Sequence, residues 1–152
     1  MMTEPDNSSP NVNFYILSDS DLQRRLLFVY RLVEKAYKQA LPTLVLTSGE
    51  EQLSALDRLL WTAKPADFLA HEVITERSQS PLPPIVLADN AAAIKTVNFT
   101  PRVVIDLSYD ATPLDFPKIM LVANQHPDVL PNARMKYQGY VRGGIKPNVY
   151  KI

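Results

Sequence analysis

The chain has 152 residues, of which 46% are hydrophobic and 21% charged, and this composition is typical of one folded domain with a sizeable core. Its 16 basic and 16 acidic residues balance, so the net charge gives no reason to expect DNA or a membrane as the main partner. The absence of cysteine excludes disulfides, thiolate metal sites and cysteine nucleophiles. The polar start lacks a secretory signal and no apolar run approaches the ~20 residues of a membrane span, so we expect a cytoplasmic protein.

The first elements alternate between strand and helix. Residues 1–11 are polar and predict a flexible tail, and VNFYIL at 12–17 predicts a buried strand at the start of a single domain over 12–152. Asp21 or a neighbour can cap the helix that follows, in which apolar residues recur at three- or four-residue steps. Most of its charged residues, Arg25 among them, fall on the opposite side of that helix.

The same order continues along the chain. TLVLTS at 43–48 predicts a second buried strand, and Ser48 with Glu51 predicts a capping box for a helix that ends near Trp61. Later elements are three apolar strands at 84–88, 102–108 and 118–124 and a last helix from after Asp128 to about Gly143. Strands that alternate with amphipathic helices predict an α/β fold with a mostly parallel sheet flanked by helices.

Motifs for catalysis or cofactor binding are absent from this pattern. The four glycines form no phosphate-binding loop, and the first two strand–helix turns, 18–21 and 47–51, are acidic and would repel phosphate. His71 is better explained by packing or hydrogen bonding than by catalysis, and Asp106 by a surface or capping role. We therefore expect neither an enzyme nor a cofactor or metal site.

The C-terminal helix has an unusual charge distribution, since no acidic residue follows Asp128. Its basic stripe consists of residues spaced by four, namely Arg134, Gln138 and Arg142. Tyr137 and Val141 lie beside the stripe, and Tyr140 faces more nearly away from it. A cationic stripe bordered by aromatic residues suits a ligand that carries both carboxylates and an apolar group.

Four segments, taken in their order and spacing, resemble one known family. They are NFYIL (13–17), LDRLLW (56–61), PADF (65–68) followed by His71, and ARMKYQGYVRGG (133–144). Together they resemble the chi subunit of bacterial DNA polymerase III over nearly the whole chain from Val12. The resemblance implies a Rossmann-like domain without a functional nucleotide-binding loop.

The resemblance also implies a function and its residues. The chi subunit is an adaptor that binds the acidic, phenylalanine-ended C-terminal tail of single-stranded DNA-binding protein. Through the psi subunit it joins the clamp loader, so that contact with DNA is indirect. The matching tail-binding positions in this chain are Trp61, Phe68, Arg134, Tyr137 and Tyr140. The expected arrangement places the terminal phenyl ring of the tail near Trp61 and its carboxylates on Arg134 and Arg142.

Some positions depart from the family pattern. Gln138 stands where a basic residue is expected, Val141 where an arginine is expected, and Leu130 at a further basic position. Arg142 or Lys136 is expected to compensate for the lost charge.

Three other interpretations stay open from the sequence. A direct binder of single-stranded nucleic acid would need more than one basic stripe on a neutral chain. An enzyme of the Rossmann-like class would hold a nucleotide or metal. A purely structural subunit would not bind the tail, and the sequence identifies no surface for psi.

Overall fold

A computed structural model describes residues 10–62, 69–75, 78, 81–109 and 115–152. Over these residues the chain forms one sheet in which every neighbouring pair of strands is parallel. The strands are β1 (Asn11–Ile16), β2 (Thr43–Leu46), β3 (His71–Val73), β4 (Ile85–Ala88), β5 (Val103–Asp106), β6 (Lys118–Ala123) and β7 (Asn148–Lys151). Their order across the sheet is β3-β4-β2-β5-β6-β1-β7.

Helices cover both faces of this sheet. They are α1 (Leu22–Lys38), α2 (Glu50–Thr62), α3 (Leu130–Arg142) and a short 3-10 helix (Ala91–Thr96). On β2 the side chain of Val45 packs with α1 and α2, whereas Leu44 and Leu46 pack in the cluster that contains Ala133 and Tyr140 of α3. Because successive side chains of a strand point to opposite faces, α1 and α2 lie on one face and α3 lies on the other. The predicted α/β fold with a parallel sheet flanked by helices is confirmed.

The strands at the two edges of the sheet were not predicted. β3 has three half-buried residues, two of them polar, and β7 has four exposed residues. Neither presents the apolar run by which the five inner strands are recognisable. β1 begins at Asn11, one residue inside the predicted tail, and the rest of that tail up to residue 9 lies outside the described residues.

The predicted features at the helix starts agree with the structure in two cases of three. Asp21 caps α1 by accepting a 2.8 Å hydrogen bond from the amide of Gln23, and Pro131 lies in the first turn of α3. The predicted capping box of α2 is wrong. The Ser48 amide donates to the side-chain oxygen of Gln52 at 2.8 Å, because the helix begins at Glu50 and places Gln52, not Glu51, above Ser48.

Arg25 of α1 is buried and does not lie on the solvent side. Its side chain points between α1 and the sheet, where Nε donates a 2.9 Å hydrogen bond to the carbonyl of Val122 in β6. The apolar stem of arginine packs like a hydrophobic residue, so the amphipathic pattern accepts it on the buried face. The sequence-based prediction places Arg25 on the solvent side of the helix because it considers only the charge of the residue.

A buried ion pair fixes α3 to the sheet. Lys136 Nζ lies 2.9 Å from Asp106 Oδ2, and it also donates to the backbone carbonyl of Ser108. The other Asp106 oxygen accepts from the amide and the hydroxyl of Ser108 at 2.9 and 2.6 Å. All three residues are buried, so the surface role predicted for Asp106 is wrong, whereas its bond with the Ser108 amide is a local cap at the strand end. Its partner is 30 residues away in the chain, where sequence spacing gives no sign of it.

We expect Lys136→Met to lower the free energy of unfolding by about 3–5 kcal/mol, because the Asp106 carboxylate stays buried without its cation. Urea denaturation followed by circular dichroism measures the change. Lys146→Met is the matched control, since Lys146 is exposed, and it should stay within about 0.5 kcal/mol of the wild type. Equal unfolding free energies for K136M and the wild type would contradict an anchoring role for the pair.

Candidate partner-binding surfaces

The outer side of α3 carries the predicted basic stripe. Arg134, Gln138 and Arg142 are all exposed, and Val141 beside them is 46% exposed. Among the described residues no carboxylate forms an ion pair with either arginine. Both guanidinium groups are therefore available to an outside anion, next to an exposed aliphatic side chain. We call this set, together with Tyr137, the α3 surface.

The two tyrosines of α3 have different positions. Tyr140 is fully buried, and its ring meets that of Phe14 on β1 edge-on at a centroid distance of 6.0 Å. Tyr137 also meets Phe14 edge-on, at 5.6 Å, but it is only half-buried. Tyr140 therefore packs α3 against the sheet, and Tyr137 contacts the same core residue while part of its ring belongs to the α3 surface. A direct contact of Tyr140 with a partner would require α3 to move.

Lys136 does not compensate for the departures at Gln138 and Val141. Its ammonium group is buried against Asp106 on the inner side of α3, so it adds no charge to the outer side. Leu130 is half-buried and apolar. The positive charge of the α3 surface therefore comes from Arg134 and Arg142 alone.

Trp61 lies in the last turn of α2 and is 53% exposed. Its ring packs on that of His71, the first residue of β3, with a centroid distance of 4.9 Å. The buried His71 side chain places Nδ1 2.7 Å from the carbonyl of Leu69 and Nε2 2.9 Å from Asp57 Oδ1. The hydrogen-bonding role predicted for His71 is thus confirmed. Its two hydrogen bonds hold the imidazole in place, and the indole of Trp61 packs on it.

The structure does not bring Trp61 and the α3 surface together. Trp61 belongs to a helix on one face of the sheet, and α3 packs on the other face over β1 and β6. A single pocket that holds a phenyl ring at Trp61 and a carboxylate at Arg134 would have to pass through the sheet. The sequence does not show on which face each helix packs, so this separation could not be predicted. Phe68 lies outside the described residues.

The described residues offer few features of other kinds of site. Within the described ranges no group of three histidine or acidic residues could hold a metal ion. No helix in the described part of the chain is long and apolar enough to cross a bilayer. Among the described residues, two side chains have clearly shifted pKa values. Burial lowers the pKa of Arg25 to about 10, and burial with the neighbouring Tyr150 raises the pKa of Tyr15.

Comparison with known proteins points to one family. The family described as DNA polymerase III chi subunit, HolC, matches residues 10–148. A curated relative, DNA polymerase III subunit chi of Pseudomonas aeruginosa, is 32% identical over 71 residues, which cover 47% of this chain. The aligned segment spans 50% of that relative's own length.

We expect His71→Ala to shift the fluorescence of the only tryptophan to longer wavelength, because the indole loses the imidazole on which it packs and becomes more exposed to water. The same change should cost about 1–3 kcal/mol of stability through the lost hydrogen bonds. Emission spectra and urea denaturation measure both. His126→Ala, in the loop before α3, should leave the emission unchanged. An H71A spectrum identical to the wild type would show that the imidazole does not hold Trp61.

Proposed function

Because the chain belongs to the DNA polymerase III chi subunit family, we propose that it is a non-catalytic adaptor subunit in DNA replication. In this proposal the α3 surface binds the acidic C-terminal tail of single-stranded DNA-binding protein. A second surface binds the psi subunit and through it the clamp loader. The chain would then connect the cytoplasmic polymerase assembly to coated template without contacting DNA itself.

The observation that supports tail binding is the pair of exposed arginines on an acid-free helix. Arg134 and Arg142 have no ion-pair partner among the described residues, and the chain carries no acid after Asp128. Arginine can bind a carboxylate through two parallel hydrogen bonds, which suits the aspartates and the terminal carboxylate of an acidic tail. The terminal phenyl ring packs on Val141 and the exposed edge of Tyr137.

The two kinds of contact contribute differently. Exposed charges mainly steer and orient a ligand, and the desolvated aromatic ring supplies most of the affinity. Since only two cations remain on the α3 surface, we expect a dissociation constant on the order of micromolar. Binding should weaken as salt screens the arginines.

For a tail peptide we expect Arg134→Ala to weaken binding about tenfold, which corresponds to about 1.4 kcal/mol. Removal of the terminal phenylalanine from the peptide should weaken it further, because the ring contact with Val141 is lost. Calorimetric titration measures both effects. Arg58→Ala is the control, since Arg58 is equally exposed but lies on α2 on the other face of the sheet.

Two results would contradict tail binding at α3. One is equal affinity for the peptides with and without phenylalanine, and the other is an R134A affinity equal to that of R58A. Tight binding of single-stranded DNA alone, with a steep salt dependence, would instead support direct nucleic-acid binding.

Trp61 supports a separate site for psi on the opposite face. An adaptor must hold both partners at once, so its two surfaces should not overlap. Tryptophan is enriched at the centres of protein interfaces. The Trp61 side chain is half-exposed, and its ring packs on the imidazole of His71. We therefore assign Trp61 to the psi surface and not to the tail site.

We expect Trp61→Ala to reduce the affinity for the psi subunit of the same organism by about 30-fold, or roughly 2 kcal/mol, and to leave tail binding unchanged. Arg134→Ala should show the reverse pattern. Surface plasmon resonance with psi and with the tail peptide on separate surfaces tests both variants. Loss of tail binding in W61A would contradict the division into two faces.

A further inference from the structure

A cavity of about 440 Å³ lies at the carboxyl end of the sheet, between the first turns of α1 and α2. Its apolar walls are Leu22, Leu26, Ala55 and Tyr109, and its polar wall includes Arg25 and Gln52. This volume is within the range of small-molecule sites, and the carboxyl end of a parallel sheet is where such sites occur in α/β folds. The cavity is separate from both the α3 surface and Trp61.

Arg25 brings an incompletely paired positive charge to this cavity. The residue is only 4% exposed, and its Nε is bonded to Val122. Its terminal nitrogens have no hydrogen-bond or ion-pair partner among the described residues. Every fully buried polar side-chain atom in the same part of the chain has a partner, so these nitrogens are not fully buried, and Arg25 lines the cavity.

The environment of Arg25 favours an added anion. Burial lowers its pKa to about 10, and Tyr109 and Asp106 offset this only in part. Asp106 is already bonded to Lys136, so it does not serve as the carboxylate partner of Arg25. Burial has removed water from around the guanidinium. A negative group in the cavity would replace the lost hydrogen bonds and favourable electrostatic interactions.

The first turn of α2 adds further donors to the same wall. The amides of Glu50, Glu51 and Gln52 have no acceptor among the described residues, and this end of a helix attracts negative charge. The side chains of Glu50 and Glu51 are exposed and also line the cavity. Their two negative charges repel any anion, and they repel a ligand that carries more than one negative charge more strongly than a monocarboxylate.

We propose that this cavity binds a small monocarboxylate with an apolar body. The carboxylate pairs with the terminal nitrogens of Arg25 and with the amides at the start of α2. The apolar body lies against Leu22, Leu26 and Tyr109. This site is independent of tail and psi binding, so the inference does not depend on the proposed function.

Sodium benzoate is a suitable probe, and the full chain labelled with ¹⁵N is the sample. We expect saturable chemical-shift changes at the amides of Glu50, Glu51 and Gln52. Benzyl alcohol keeps the ring without the charge, and inorganic phosphate keeps the charge without the ring. Each should bind at least about tenfold more weakly than benzoate, since each lacks one half of the recognition.

Two variants test the role of Arg25, and a third is their control. Arg25→Met should weaken benzoate binding at least about tenfold, which corresponds to the loss of a charged hydrogen-bonded pair. Ala55→Phe fills the cavity and keeps the guanidinium, so it should also abolish binding. Arg24→Met removes the neighbouring arginine, whose side chain is 70% exposed outside the cavity, and should bind benzoate like the wild type.

Several results would overturn the inference. They are shifts that do not saturate, shifts centred on α3, equal affinity for phosphate, and a folded R25M that binds as tightly as R24M. If R25M does not fold, undiminished binding by A55F overturns it instead, and loss of binding by A55F supports it.

Discussion

The ion pair between Lys136 and Asp106 decides which side of α3 faces solvent. It joins the middle of the helix to the end of a central strand, and Tyr140 adds a fully buried ring in the last turn. A buried charge without its partner costs several kcal/mol, so rotation of α3 about its axis is strongly opposed. The outward direction of Arg134 and Arg142 follows from this inner contact. The α3 surface therefore depends on residues that are buried beneath it.

The parallel sheet keeps the proposed partner surfaces apart. Its five inner strands are covered on both faces, so α2 and α3 cannot meet through it. The Trp61 indole stands beside the β3 edge on one face, and the basic stripe lies over β1 and β6 on the other. Under the proposed function, the two partners would then bind on opposite faces, with the sheet as a rigid spacer between them.

Most of the fold was predictable because its inner strands and its helices have strong local patterns. The runs at 43–48 and 84–88 are apolar on both faces, and α3 has a proline near its start and glycines at its end. The errors concern long-range partners. The charges of Arg25 and Lys136 predict exposure to solvent. Their buried partners, Val122 and Asp106, are distant in the sequence and cannot be recognised from it. The exposure of the α3 stripe was predictable from helical spacing. The separation of Trp61 from it was not, since a helix pattern does not specify the face on which it packs.

The alternation of anchor and surface positions along α3 has an evolutionary consequence. Ala133, Lys136 and Tyr140 carry the packing, and the residues between them face water except for the half-buried Tyr137. Exposed helix positions with good helix formers can be exchanged at little cost to folding. Positions such as Gln138 and Val141 can therefore change without destabilising the domain. If the α3 surface binds the tail as we propose, its affinity can change through these positions while the scaffold beneath remains constant.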